Sequence, residues 1–199
     1  VKTLRSAGYD VGYYKAAISG ARTVEESDAG FVNRFAQIRE PEDMLLSYLY
    51  QNAVSPHLAA RIEGNPVEKD VIMSAWERVT AAYPYVTMEG SGGIMCPIRH
   101  DEKAVYYLED IIRWLRLPVL VIADAGLGTI NRVVTTCEYI RRRNISVKGI
   151  ILNHWKGGVM EEDNVEMIEE IIGMKVLARV KKGDMALDID PETIISLYE

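Results

Sequence analysis

The stretch YVTMEGSGGIMCPI, Tyr85 to Ile98, decides how the rest of the chain is read. Tyr85, Val86 and Thr87 favour extended backbone, and the run ends at Glu89 before a loop containing Gly90, Gly92 and Gly93. Glycines let a loop turn sharply and let backbone come close to a ligand. The pattern predicts a strand with a carboxylate at its carboxyl end. Ligands of open α/β sheets bind at that edge, so Glu89 is placed to hold a cation beside phosphates. The plainer alternative is a turn in which the glycines only reverse the chain and Glu89 caps the loop.

Working back from this stretch, Val11 to Tyr14 is strand-like and ends at Lys15, before the small-residue loop AAISG, which predicts a second charged group at a strand end. Thr23 to Ala36 reads as a loop entering a helix with Asp28 near its start. Glu25, Glu26 and Asp28 would also suit a helix amino terminus through its dipole alone. Val1 to Ala7 resembles the last turns of a helix stopped by Gly8, with no cap before it, so the natural chain is expected to begin further upstream. Pro41 to Gln51 is mixed and receives no assignment. Ser55-Pro56 opens a short helix through Arg61, in which His57 reads as a polar contact, because no second metal ligand follows at helical spacing. Pro66 to Ala82 predicts a longer helix, with Val67, Val71, Ile72, Ala75, Val79 and Ala82 at three-to-four spacing.

Working forward, Tyr106 to Leu115 predicts a helix with Leu108, Ile111, Ile112 and Leu115 on one face. The strand PVLVIAD follows, and its near-continuous apolar run from Pro118 to Ala123 predicts burial on both faces, as in a parallel sheet. The loop AGLGTIN then leads into a helix from about Thr129 to Arg143, with Thr129 as candidate cap and a start suited to an anion. A strand from Val147 to Leu152 ending at Asn153, a helix from about Glu162 to Ile172, a strand from Lys175 to Val180 and a helix from Pro191 complete the reading. Strands alternating with helices predict an α/β, doubly wound, mostly parallel sheet.

Composition narrows the class. A chain of 199 residues that is 48% hydrophobic can bury one sizeable core and is read as a single domain, 1–199. Its formal charge of -6 argues against a nucleic-acid surface, and Arg141, Arg142 and Arg143 read as a solvated helix end. No stretch reaches the roughly 18 apolar residues of a membrane span. Cys96 and Cys137 suggest neither a disulfide framework nor a zinc site. With no secretory signal, a cytoplasmic enzyme is the default expectation.

The segments GYDVGYYKAAISG, ESDA, SPHLAA, EGSGGIMCPI, LPVLVIADAGLGTIN and GIILN together resemble the dethiobiotin synthetase family of phosphate-loop nucleotide-binding proteins, in that family's order and near its spacing from Gly8 to about Gly158. The resemblance implies the joining of CO2 to diaminopelargonic acid, with ATP and Mg2+ activating a carbamate as a mixed anhydride that closes to a cyclic urea. It implies Lys15 as the fixed cation for charge developing on phosphoryl and carbamate oxygens, and Ser19 as a hydrogen-bonding partner of the amine or carbamate. Asp28 and Glu89 match the Mg2+ carboxylates, Gly90, Gly92 and Gly93 the loop at the nucleotide, and Asn153 the reader of the adenine edge. A homodimer is implied, with the substrate carboxylate reaching Gly128, Thr129 and Asn131 of the neighbouring subunit. Lys15, Asp28 and Glu89 should therefore converge on one site.

The chain departs from the family pattern in places. Ala16 stands where the family has proline, HWKGG follows Asn153, and LARVKKGD lacks the family's Gly-Xaa-Ile-Pro pattern. Val1-Lys2-Thr3 imitates the end of a phosphate loop but no glycines precede it. The expectation is a strand and a G-x-x-x-x-G-K-[ST] loop within roughly 20 to 30 further residues upstream, with the gap beside the Val11 strand. A related synthetase of the cobyrinic acid type and a non-enzymatic module without a phosphate loop are the alternative readings.

Overall fold

A computed structural model describes residues 1–198. The chain forms two compact units, Val1–Arg116 and the residues from Leu117 onward. In chain order the first contains α1 (Lys2–Ser6), β1 (Val11–Ser19), α2 (Asp28–Phe35), α3 (Glu42–Leu45), β2 (Leu46–Tyr50), α4 (Pro56–Glu63), α5 (Lys69–Ala82), β3 (Tyr85–Glu89), β4 (Pro97–His100), β5 (Val105–Tyr107) and α6 (Leu108–Leu115).

Strand β1 is the middle of a parallel sheet of order β2-β1-β3. All of Val11 to Ile18 is buried, as a strand covered on both faces requires. The small residues after Lys15 do not form a loop. Ala17, Ile18 and Ser19 pair with Tyr48, Leu49 and Tyr50, so Lys15 lies in mid-strand rather than at its end. Pro41 to Gln51, unassigned from sequence, supplies both α3 and β2. On one side Tyr14 packs its ring 5.9 Å from that of Trp76 in α5. That helix starts at Lys69, later than Pro66, and buries Ile72, Ala75 and Val79. Ile72 and Val79 each contribute about 1.5–3 kcal/mol. Tyr13, Ile18, Ala21, Ala29, Ala36, Ile38, Leu45 and Leu46 form one core cluster.

Two further departures are local. Val105–Tyr107 is a strand pairing antiparallel with Pro97–His100, so α6 begins at Leu108 instead of Tyr106. Asp110 accepts from the Tyr107 N–H at 2.8 Å and fixes that start.

The second unit contains β6 (Val119–Asp124), α7 (Thr129–Arg142), β7 (Val147–Asn153), α8 (Val159–Ile172), β8 (Val176–Arg179), α9 (Pro191–Ile195) and a final 3-10 turn, Ser196–Tyr198. Its parallel sheet has the order β6-β7-β8. Ile150, Ile151 and Leu152 of β7 are buried, as are Val133, Cys137 and Ile140 of α7 and Val165, Ile168 and Ile172 of α8. The expectation for β6 fails in part. Val121 is buried, but Leu120 and Ile122, which share the opposite face of the strand, are 37% and 64% exposed. The edge strands are β2 and β3 in the first sheet and β6 and β8 in the second, and the expected gap beside the Val11 strand is absent because β1 is paired on both sides.

Strand β2 joins β1 only from Lys15 onward. Ahead of it the Tyr13 N–H donates to Glu40 Oε2 at 3.4 Å. Asn33 clamps the backbone of Glu40 by two bonds of 2.9 Å. Glu40 is 4% exposed, and its Oε1 has no hydrogen-bond partner. Burial pushes this carboxyl up to about 7, against the Tyr13 bond and the Arg5 charge. Its proton is held in the folded chain and released in the unfolded one between pH 4.5 and 7. The stability it contributes is present below the unfolded value and lost as pH rises through about 7. Urea unfolding should show stability falling over this window by on the order of 3 kcal/mol more in the parent protein than in Glu40→Gln. Parallel pH profiles of the two proteins would contradict the assignment.

Candidate functional site

The site in the first unit is built by strand register. Lys15 of β1 stands directly opposite Glu89, the last residue of β3. Residues two apart on a strand share a face, so Tyr13 and Lys15 both reach across to Glu89. Lys15 Nζ donates to Glu89 Oε1 at 2.7 Å, and the Tyr13 hydroxyl donates to Glu89 Oε2 at 2.8 Å. Helix α2 brings the second carboxylate. Ser27 caps it by accepting from the Gly30 N–H at 3.2 Å, and Asp28, its first residue, pairs through Oδ2 with the same Lys15 Nζ. A Cβ at position 30 would stand 2.2 Å from the Val24 carbonyl oxygen, so glycine is what lets the loop before α2 close on the helix.

Lys15, Asp28 and Glu89 are thus brought together, about 60 residues of sequence between the two acids notwithstanding. Asp28 satisfies both of its sequence readings, as a first-turn acid and as a site carboxylate. The lysine side chain is only 7% exposed, whereas those of Asp28 and Glu89 are 52% and 42% exposed. Burial disfavours the ammonium, but the bonds to Asp28 and Glu89 outweigh it and hold the Lys15 pKa above the ordinary lysine value. An ammonium has three N–H groups, so two committed bonds leave one for a ligand. Burial, then the charge of Glu89, drives the Tyr13 pKa well above that of a free phenol, so its hydroxyl stays a donor.

The glycine loop is tied down by Ser91, whose hydroxyl donates to the Ala17 carbonyl of β1. Gly92 has φ +81, a conformation other residues rarely adopt. A Cβ on Gly90 would meet Leu108 Cδ2 at 2.7 Å, while one on Gly93 would meet nothing within 4 Å. Ser19 Oγ donates to the Val54 carbonyl at 2.6 Å.

In the second unit Asp124 and Asn153 are register partners at the carboxyl ends of β6 and β7. Asn153 Oδ1 accepts from the His154 N–H at 2.9 Å, and His154, at φ +57, places Nδ1 2.5 Å from Asp124 Oδ1. The HWKGG turn is closed by buried Glu161, whose Oε2 accepts from the N–H groups of Lys156 and Gly157 at 2.8 Å each. Gly128 rather than Thr129 is the cap of α7, with φ +85 and no side-chain bond. Thr129 is the first helical residue, fully buried, with no hydrogen-bond partner for its Oγ1. Asn131 is exposed one turn into the helix.

Sequence reasoning missed Tyr13, Ser91, Asp124 and His154. Period two along β1 would have found Tyr13, since it shares a face with Lys15. Nothing in the sequence marked the other three.

Against known proteins, the AAA domain family matches residues 1–185. An ATP-dependent dethiobiotin synthetase of Brachyspira hyodysenteriae is 46% identical over 100% of this chain and 89% of its own length. Those of Clostridium novyi and Clostridium kluyveri are 41% and 39% identical, covering 90% and 89% of this chain and 77% and 76% of theirs. Among solved structures, the crystal structure of a ParA family ATPase from Chlorobium tepidum TLS aligns over 99% of this chain and 80% of that one, with a TM-score of 0.50 and 15% identity. That likeness shows the fold alone, a phosphate-loop NTPase-like α/β architecture with mostly parallel sheets flanked by helices. Identity of this level over the whole chain, with the six motifs in order, shows more: the chain belongs to the dethiobiotin synthetase family, a family of ATP-dependent ligases.

Proposed function

We propose that the protein carboxylates 7,8-diaminopelargonic acid with CO2 and closes the ring to dethiobiotin, using ATP and Mg2+, in the cytoplasm. The observation that carries this reading is the convergence of Lys15 on Asp28 and Glu89. Two half-exposed carboxylates meeting at one point form a donor set of hard oxygens, which fits Mg2+, a cation commonly held by one or two carboxylates plus substrate phosphates. Asp28 and Glu89 would hold it. When bound, it supplies neutralising charge at the phosphoryl oxygens.

The remaining N–H of Lys15 then faces the oxygens on which charge develops, and a buried cation is worth most there. Ser19 donates to Val54 and so presents its lone pairs outward, which suits an amine donor of the substrate. Asn153 has its amide orientation set by the His154 N–H, leaving Nδ2 to donate to adenine and Oδ1 a second lone pair to accept from it. Gly90, Gly92 and Gly93 carry the loop beside the nucleotide.

We also assign residues 1–199 to one dethiobiotin-synthetase domain. The matched relative at 46% identity across the chain supports this reading. The protein acts as a homodimer in which Gly128, Thr129 and Asn131 receive the substrate carboxylate from the neighbouring subunit. The α7 start without a side-chain cap supports that role.

Product analysis with the natural full-length protein tests the reading, and dethiobiotin should form only with diamine, ATP, bicarbonate and Mg2+ all present. Lys15→Ala should lower kcat by about 10²–10³-fold with an unchanged circular dichroism spectrum, because its cation acts in the transition state rather than in the core. Near-parental turnover would remove Lys15 from the reaction. Light scattering at micromolar concentration should give a dimer. A fully active monomer would contradict the shared site.

A further inference from the structure

Tyr13 has no assigned role, yet it makes a direct bond to the site. Its ring is 2% exposed and belongs to the core cluster that also contains Ala29, the neighbour of Asp28 on α2. Its hydroxyl leaves that core only to donate to Glu89 Oε2 at 2.8 Å. Glu89 is a flexible side chain, 42% exposed, and its other oxygen is held by Lys15 at 2.7 Å. Those two ties differ in kind. Lys15 shares its ammonium among Glu89, Asp28 and the ligand its remaining N–H engages, so its hold on Glu89 is divided. Tyr13 is locked by packing, and its tie does not depend on what Lys15 does.

We propose that Tyr13 is a positioning residue for the divalent cation: it fixes the rotamer of Glu89 so that the carboxylate keeps facing Asp28 whether or not Lys15 is engaged elsewhere. This rests on the proposed metal role of Asp28 and Glu89. Partners one bond removed from a metal ligand set its orientation, and their loss commonly weakens metal binding by about 10- to 100-fold. The competing explanation is that a buried phenol needs an acceptor and Glu89 happens to be nearest. The two differ in what they predict for metal affinity.

The test is Mn2+ binding to the natural full-length protein without nucleotide, followed by the paramagnetic resonance signal of free Mn2+. Tyr13→Phe keeps the ring in the core and removes only the hydroxyl. It should raise the Mn2+ Kd about tenfold. The Mg2+ concentration for half-maximal turnover should rise by the same factor, with the KM for the diamine unchanged. Tyr13→Leu, which also disturbs packing, should show the same Mn2+ shift despite a lower Tm. Mn2+ affinity within about twofold of the parent in Tyr13→Phe overturns the proposal, as does a shift that follows Tm instead of the hydroxyl. Asp28→Asn, measured alongside, separates the two levels. If it binds Mn2+ like the parent, the metal reading and the role of Tyr13 fall together. If it abolishes binding while Tyr13→Phe changes nothing, only the role of Tyr13 falls.

Discussion

The candidate site of the first unit is organised by one ammonium group. Lys15 lies in the middle of a strand whose neighbours from Val11 to Ile18 are all buried, where an unpaired charge would not be tolerated. Two carboxylates make the position possible, and each is delivered by a different element: Glu89 by the register of β3 against β1, Asp28 by the capped first turn of α2. The pair of acids in turn would repel one another without the cation between them. Removing either acid leaves the buried ammonium undercompensated, whereas without the lysine the two half-exposed acids stay solvated. Exposure of the acids does not separate this cluster from the ion pairs of Arg99, whose partners Glu68 and Asp101 are themselves 54% and 35% exposed. Arg99 is also buried, but it spends a further N–H on the Val67 carbonyl and serves to tie β4 to the segment before α5.

Much of this was legible in the residues, for identifiable reasons. Glu89 was found because β-favouring residues run straight into it and glycines follow, which leaves few alternatives for where a strand ends. Asp28 was found through helix-start chemistry, although that chemistry alone could not say what its carboxylate faces. Lys15 was recognised but misplaced, since Ala16, Ala17 and Ser19 have little strand preference of their own. Pairing with β2 and burial on both sides hold them extended, and a local reading cannot see either. The same blindness affected β2, which follows a four-residue helix with no intervening turn signal.

The opposite error occurred in the second unit. An apolar run from Val119 to Ala123 reads as the most central strand of all, yet Ile122 is 64% exposed, while β1, with a lysine and two tyrosines, is the strand buried throughout. Apolarity reports what a strand can bury, and coverage of each face decides what it does bury. At the strand ends of this unit the sequence identified Asn153 but not the polar frame around it. The His154 bond to Asp124 and the closure of the next turn by Glu161 are both set by residues 5 to 30 positions away from their partners.

The central claim is that Asp28 and Glu89, gathered by Lys15, form a single cation site. The most direct measurement is a crystal structure of the natural full-length protein grown with Mn2+ and a non-hydrolysable ATP analogue, with anomalous differences collected at the manganese edge. The account predicts one peak within coordination distance of both carboxylates, with Lys15 turned toward the terminal phosphate. A manganese peak bound by neither acid, with Lys15 still bridging them, would contradict it.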